Sequence, residues 1–240
     1  MKRNTRMNAM IRERARESRS AVPPLILILF LFLLLSPRHV LKAQAIRGAV
    51  IAGGNLTQVD GDEVYGFHKV GWNAGAAAII PFGPKWSVSL ENTFTQKGSY
   101  QSPQYNDSLS FEYKLRLNYV EVPVMLHFTD KETVTFGAGF SWGRLVGIEE
   151  YEHGTKVETT TLLGGPYDRN DWSILADVRF RLAGRFHFNA RYAYSLASIR
   201  TRTYTVGNDV FNRDQFNNIV TFRVLYVFNE AIEKESRRKQ

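Results

Sequence analysis

The side chains that could carry nucleophilic catalysis are few in this sequence and poorly spaced for it. An acyl hydrolase needs a serine and a histidine within hydrogen-bonding reach, with a third group that orients the histidine. After residue 45 the histidines are His68, His127, His153 and His187. His187 shares a strand face with Ser195, but four strand steps separate the two side chains. We therefore predict no catalytic residue, and a lipid-modifying enzyme is the weakest alternative.

Carboxylate groups that could bind a hard cation occur in two clusters, 60–63 and 149–152. Calcium favours such oxygen ligands, but neither cluster has the spacing of a defined calcium loop. The chain has no cysteine, no zinc-ligand pattern and no glycine-rich nucleotide loop. We interpret both clusters as solvated loop charge, with divalent bridging to anionic outer-leaflet lipid as the alternative. No cofactor and no metal site are predicted.

The positive charge is concentrated in the first 45 residues. The 240-residue chain has a formal net charge of +8, and residues 1–45 carry nine Lys/Arg and two acids, a net of +7. A nucleic-acid-binding domain would need a basic face on its folded body. The remaining net charge of +1 therefore argues against a nucleic-acid partner.

The same leader has the three parts of a secretory signal peptide. A basic segment precedes an apolar run at 25–35, and the small residues Ala43 and Ala45 frame a cleavage site. We predict a signal peptide at 1–45, cut after Ala45. An uncleaved signal anchor is the alternative, although Pro23 and Pro24 shorten the helical part to less than the roughly 20 residues that a span requires.

Beyond residue 46, apolar and polar side chains alternate with the period of two that is typical of β-strands. Segment 172–182 shows this best, since Leu175 alone departs from the alternation. The pattern predicts eight strands, at 48–57, 69–81, 86–98, 113–128, 133–146, 171–182, 186–198 and 218–228. Pro123 lies within the fourth strand, where we expect a bulge near 119–120 to account for the proline and for a phase change of the apolar positions.

The connections between these strands alternate between short and long. Tight turns are expected at 82–85, 129–132 and 183–185, and long polar loops at about 58–68, 99–112, 147–170 and 199–217. An even strand number, short inner turns and long outer loops are features of transmembrane β-barrels. We therefore predict an all-β fold, an eight-stranded antiparallel transmembrane up-and-down barrel at 46–229, followed by a charged periplasmic tail at 230–240.

The polar face of each strand carries full charges, which a lipid-facing barrel must enclose. Glu91, Asp177, Arg191 and Arg223 lie about five residues from the tight-turn ends, so they are expected to share one layer. Glu121 lies somewhat farther out, and Arg179 is on the same inward face as Asp177. An unpaired buried ion is very costly. We therefore expect a salt-bridged, filled interior, and an ion or proton path is the alternative.

Aromatic residues fall near both ends of the predicted strands. Such rings prefer the membrane interface and form girdles at the two rims of a barrel. The core of a soluble β-protein is the alternative placement. The residues assigned to the girdles are Trp72, Trp142 and Trp172 at the outer rim and Trp86, Phe128, Phe186 and Phe228 at the inner rim.

Four stretches resemble the PorT-like outer-membrane β-barrel family of Bacteroidetes-type bacteria. They are 52–57, 67–75, 90–98 with its Gln-Lys-Gly ending, and 118–124 with its Tyr-x-Glu-x-Pro pattern. The resemblance implies an outer-membrane barrel and carries over no catalytic residues. The charged ending departs from the aromatic strand terminus usual in the family.

These observations predict a non-enzymatic outer-membrane protein with a plugged interior and an envelope-structural or loop-mediated binding role. Its expected partners are outer-membrane lipid and a protein or glycan at the extracellular loops, above all 147–170. A small-solute porin and a secretion-accessory barrel are the alternatives, and a soluble periplasmic barrel is the alternative architecture.

Overall fold

The computed structural model describes residues 46–62, 64–102, 112–131, 133–206 and 209–229. The predicted signal peptide, with Ala43 and Ala45, and the predicted tail at 230–240 lie outside the described residues. Both therefore stay predictions. Within the described part of the chain, no helix is long and apolar enough to cross a membrane.

The described residues form eight long strands and three short ones. The long strands are β1 (Arg47–Asp60), β2 (Lys69–Pro81), β3 (Trp86–Lys97), β5 (Tyr113–Asp130), β6 (Val134–Glu152), β8 (Asn170–Ala183), β9 (Phe186–Ser195) and β11 (Asp209–Val227). The short strands are β4 (Tyr100–Gln101), β7 (Thr155–Lys156) and β10 (Arg200–Val206).

The eight long strands close into a ring. Each pairs in antiparallel register with the next, in the order β1, β2, β3, β5, β6, β8, β9, β11, and β11 then pairs with β1. Closure leaves no unpaired strand edge between neighbours, which is the condition for a sheet in hydrocarbon. The predicted eight-stranded barrel is confirmed.

Alternate residues of each strand face the lumen and the surroundings, as the period of two requires. On β3, for example, Leu90 is 49% exposed whereas Glu91 is 1% exposed. The buried set is rich in polar and charged residues, and the exposed set is rich in large apolar ones. This inversion of the pattern of a soluble barrel is the one that lipid requires.

The expected bulge lies on the neighbouring strand. Asn118 pairs with Gly147 and Tyr119 with Leu145, so Val146 of β6 is the extra residue. Strand β5 keeps its alternation throughout, and no phase change occurs there. The apolar pattern changes because the inward positions at the outer end of β5 are apolar: Leu115, Leu117 and Tyr119 are buried like Glu121, the first charged residue on this face.

Two of the outer connections contain more strand than expected. Segment 199–217, predicted as a loop, forms most of the β10–β11 hairpin, in which Arg200 pairs with Gln215 and Val206 with Asp209. Strand β6 likewise extends to Glu152, inside the predicted loop 147–170. The barrel wall therefore continues beyond the predicted strand ends on its outer side.

Candidate functional site

The inner half of the lumen contains a layer of ion pairs centred on Glu91. Arg191 donates to both carboxylate oxygens of Glu91, at 2.9 and 3.0 Å. Arg223 donates to the same two oxygens, at 2.9 and 3.2 Å. All three side chains are almost fully buried, so one carboxylate on β3 is shared by guanidinium groups from β9 and β11.

Asp177 completes this layer from β8. Its Oδ2 accepts hydrogen bonds from Arg191 at 2.7 and 3.2 Å, and Arg223 Nη2 lies 3.8 Å away. His127 Nε2 lies 3.4 Å from the other oxygen, and Arg179 Nη2 is 3.4 Å from the same histidine nitrogen. The structure thus brings together four of the six residues assigned to the interior network and places Arg179 at the edge of the layer.

A second layer lies farther out and is centred on Lys97. Its ammonium is 2.6 Å from Glu121 and 2.8 Å from Asp171, and it lies over the ring of Tyr119 at 4.8 Å. Ser195 Oγ also donates to Asp171, at 2.7 Å. Glu121, assigned to the interior network by sequence, therefore belongs to a separate layer with two residues that were not assigned to it, Lys97 and Asp171.

The sequence carried a signal for the two missed residues. Lys97 continues the inward alternation of Glu91 along β3, and Asp171 continues that of Asp177 along β8. The sequence did not indicate which cation pairs with which anion, because the pairing depends on the stagger of strands that are not neighbours.

The two layers join opposite walls of the lumen through bonded side chains. A buried charge is tolerated when it is paired and its remaining hydrogen-bonding groups are satisfied. Here the pairs reach across the barrel: β3 and β9 lie on opposite sides of the ring, four pairings apart. Apolar side chains fill the space inside and between the ion layers, including Ile51, Ile79 and Leu225 at the inner end and Met125 and Leu175 in the middle.

The outer mouth is closed by an apolar cap. It draws on β1, on the loop after it, on β5, on β6 and on the outer connections after β6 and β9, and consists of Val59, Val64, Tyr113, Leu115, Leu117, Tyr119, Leu145, Tyr167 and Ile199. Leu115, Leu117 and Ile199 have no exposed surface. Residues of the first, third and fourth outer connections are thus packed together at the outer end of the lumen.

A buried carboxylate, Glu150, ties the cap together. It accepts hydrogen bonds from Tyr113 at 2.9 Å, Arg200 at 3.1 Å and Thr160. Arg200 also donates to Tyr167, at 2.9 Å. Burial, reinforced by the charge of Glu150, raises the pKa of Tyr167 to about 12. The phenol therefore stays neutral at physiological pH and serves as a packed hydrogen-bonding group.

Asp62 forms a second buried polar contact in the cap. Val64 N donates to its carboxylate at 2.9 Å, and Ser99 Oγ donates to the other oxygen. Burial raises the pKa of Asp62 to about 6, although the hydrogen bonds from Ser99 and Val64 act in the opposite direction. This carboxyl joins the first outer loop to the second and changes charge near neutral pH.

The seven residues assigned to the aromatic girdles all lie on strand faces directed away from the lumen or next to a tight turn. Trp72 is 73% exposed and Trp172 50% exposed. Trp142 and Trp172 are directly paired on β6 and β8, and the Trp86 and Phe128 rings meet edge to face with centroids 5.0 Å apart. Phe186 and Phe228 contact Tyr226, each at 5.1 Å. Their depth in the membrane remains a prediction.

A closed antiparallel ring with an apolar exterior and a charged interior defines an integral outer-membrane β-barrel protein. The family comparison agrees, since residues 44–200 match the family described as outer membrane protein β-barrel domain. The chain belongs to that family, and its location is the outer membrane. Among proteins with curated descriptions, none matches it.

The chain is also similar to several solved barrels at low sequence identity. Ail of Yersinia pestis, in complex with the heparin analogue sucrose octasulfate, is 14% identical over 76% of this chain and 99% of its own, with a TM-score of 0.43. Neisserial surface protein A is 13% identical over 75% and 95%, with a TM-score of 0.39. A major outer membrane protein of Thermus thermophilus is 11% identical over 77% and 100%, with a TM-score of 0.42.

Proposed function

We propose that this protein is a non-enzymatic surface-binding barrel, in which a rigid, filled cylinder presents outer loops to a protein or glycan partner. The observation that carries this proposal is the exposure of large apolar residues at three outer tips. Tyr65 is 84%, Leu163 80% and Val210 66% exposed, and they lie on three different outer connections. Binding residues are disproportionately carried by loops that a rigid scaffold positions, and apolar side chains exposed on such loops are available to contact a partner.

The packed cap supports the proposal because it anchors the residues next to two of these tips, Tyr65 and Leu163. Val64 lies in the cap directly before Tyr65, and Leu162, directly before Leu163, packs against the cap. A partner would then bind a surface that is already ordered, which reduces the entropy lost on association.

The polar groups of the interior support a non-enzymatic role. Ser195 Oγ donates to Asp171 at 2.7 Å and accepts a hydrogen bond from Asn217 N at 3.1 Å. This serine is therefore bonded within the Lys97 layer. We propose that the ionisable groups of the lumen serve stability and that no catalytic residue operates there.

The experiment uses Y65S/L163S, which removes the two most exposed tips and leaves the cap intact. Deletion of 150–168, most of the long third outer loop, would be a less specific test, because Glu150, Thr160 and Tyr167 are buried in this loop. The matched control is K156S, a change in the exposed β7 turn of the same outer connection. Heat-dependent gel migration checks that each variant is folded.

Cells that display each form are tested for adhesion to plates coated with gelatin, a protein, and with heparin, an anionic glycan. We expect cells that display the wild type or K156S to adhere to one of the two coats better than cells lacking the protein. For cells that display Y65S/L163S, this excess adhesion should be at least tenfold smaller. Adhesion equal to that of cells lacking the protein on both coats, or full adhesion by Y65S/L163S, would contradict the proposal.

Resemblance to PorT-like barrels supports a narrower proposal, membership of that group. Two of the stretches that carry the resemblance contact each other in the structure. Glu121 of the motif Tyr119-Val120-Glu121-Val122-Pro123 forms an ion pair with Lys97 of the Gln-Lys-Gly stretch. A secretion-accessory role is the corresponding rival function. It predicts that a deletion strain fails to export its surface proteins, whereas the loop-binding proposal predicts normal export.

A further inference from the structure

The tight-turn end of the barrel has a strongly unbalanced charge. Among the described residues it carries one acid, Asp130, and five bases: Arg47, Lys85, Lys131, Arg181 and Arg185. The net charge of these groups is therefore +4, whereas the body of the chain is almost neutral. A positive rim at the level of lipid headgroups attracts anionic ligands.

Lys85 lies on the lipid side of this rim. Its ammonium is over the ring of Phe128, 5.7 Å from the centroid, and Phe128 meets Trp86 edge to face. Lys85 and Trp86 are both exposed. The carbonyl of Lys85 accepts a hydrogen bond from Thr129 N at 2.8 Å, which fixes the turn against β5.

The turn between β8 and β9 shares two features of this arrangement, the ring contact and the carbonyl hydrogen bond. Arg185 directly precedes Phe186, whose ring contacts Tyr226 on the paired strand at 5.1 Å. The carbonyl of Arg185 accepts a hydrogen bond from Val227 N at 2.9 Å. In both turns a base is followed by an outward aromatic residue, and its carbonyl bonds to the strand that carries the second ring.

We propose that these two turns are binding sites for the phosphate headgroups of anionic phospholipids in the inner leaflet. Each base supplies the charge that attracts a phosphate group, and the adjacent rings pack against the glycerol and upper acyl chain. A lipid is favoured over a soluble polyanion because Lys85 lies over a ring on the membrane-facing side of the barrel. This inference is independent of any binding by the outer loops.

The test uses the full mature chain in nanodiscs with equal amounts of phosphatidylglycerol and phosphatidylcholine, followed by native mass spectrometry that counts retained lipids. The test variant is K85Q/R185Q. K85R/R185K keeps both charges, and K156Q removes a base from an outer turn. We expect the wild type, K85R/R185K and K156Q to retain phosphatidylglycerol preferentially, and K85Q/R185Q to bind it roughly fivefold more weakly at each of the two turns.

A preference for phosphatidylglycerol that survives in K85Q/R185Q, or one that is lost equally in K156Q, would overturn the proposal. If K85Q/R185Q does not fold, the wild type decides alone. Salt that shortens the Debye length to about 3 Å should abolish the preference, and a preference insensitive to salt would overturn it. Sedimentation with purified cell-wall sacculi tests the rival ligand, an anionic polymer of the periplasm. Loss of sacculus binding in K85Q/R185Q with unchanged lipid preference would also overturn the proposal.

Discussion

Glu91 on β3 and Arg191 on β9 form a two-pronged ion pair across the full width of the lumen, with nitrogen–oxygen distances of 2.9 and 3.0 Å. The two strands are on opposite sides of the ring, so this pair joins walls that no backbone hydrogen bond connects. Arg223 binds the same carboxylate from a third strand. The centre of the barrel is thereby held by side chains.

Removing the shared carboxylate should strongly destabilise the barrel. E91Q leaves Arg191 and Arg223 buried without their common anion, and breaking a buried pair in this way costs about 3–5 kcal/mol. The half-buried pair Arg116–Glu149, at 3.0 Å, provides the matched control, and E149Q should cost less than about 1 kcal/mol. Urea unfolding in detergent micelles measures both values. Equal stability of E91Q and E149Q would contradict a structural role for the ion layer.

Gly137 should be nearly irreplaceable because it makes room for the contact between His127 and Asp177. It is paired with both residues, and a Cβ added there would lie 2.5 Å from His127 Cδ2 and overlap the Asp177 carboxylate. G137A is expected to lower the free energy of unfolding by about 1–3 kcal/mol. G54A is the control, since its added Cβ meets only Gly71 O at 3.6 Å. A G137A barrel as stable as G54A would show that the contact is not tightly packed.

The first outer loop should be better protected in acid than at neutral pH. The pKa of Asp62 in the folded protein, about 6, is above its ordinary value of 3.8, so the protonated carboxyl is the form that folding favours. Its contribution is complete below about pH 4 and is lost as the pH rises through about 6. Hydrogen exchange of loop 1 amides, corrected for intrinsic rates, measures this change.

Two variants sharpen the pH experiment. D62N should remove the pH dependence of protection, and D214N, a change of an exposed carboxylate, should retain it. Protection that increases with pH in the wild type would contradict the predicted direction. A pH dependence that persists in D62N would assign it to another group.

The sequence was sufficient to predict the barrel because lipid and lumen impose opposite demands on alternate residues. The inward position of Glu91 and the outward position of Trp172 both follow from a period of two. The individual ion pairs could not be predicted in this way, because the pairing of Lys97 with Asp171 depends on the stagger between two strands that are not hydrogen-bonded to each other.

The outer end of the barrel was predicted less well, for a physical reason. Leu115 and Leu117 face inward although they are apolar, since the cap replaces ion pairs with apolar packing there. The β10–β11 hairpin was predicted as a loop because its residues are mostly polar and lack the apolar alternation that marks a lipid-facing strand.

The most direct test of a filled lumen is the electrical conductance of the purified protein in a planar lipid bilayer. We expect the side chains that bond across the barrel at two levels, beneath a packed cap, to block the passage of hydrated ions. We expect insertion without stable, large conductance steps, while heat-dependent gel migration shows that the inserted protein is folded. Long-lived, large conductance steps from the folded wild type would contradict the filled lumen and favour a small-solute porin.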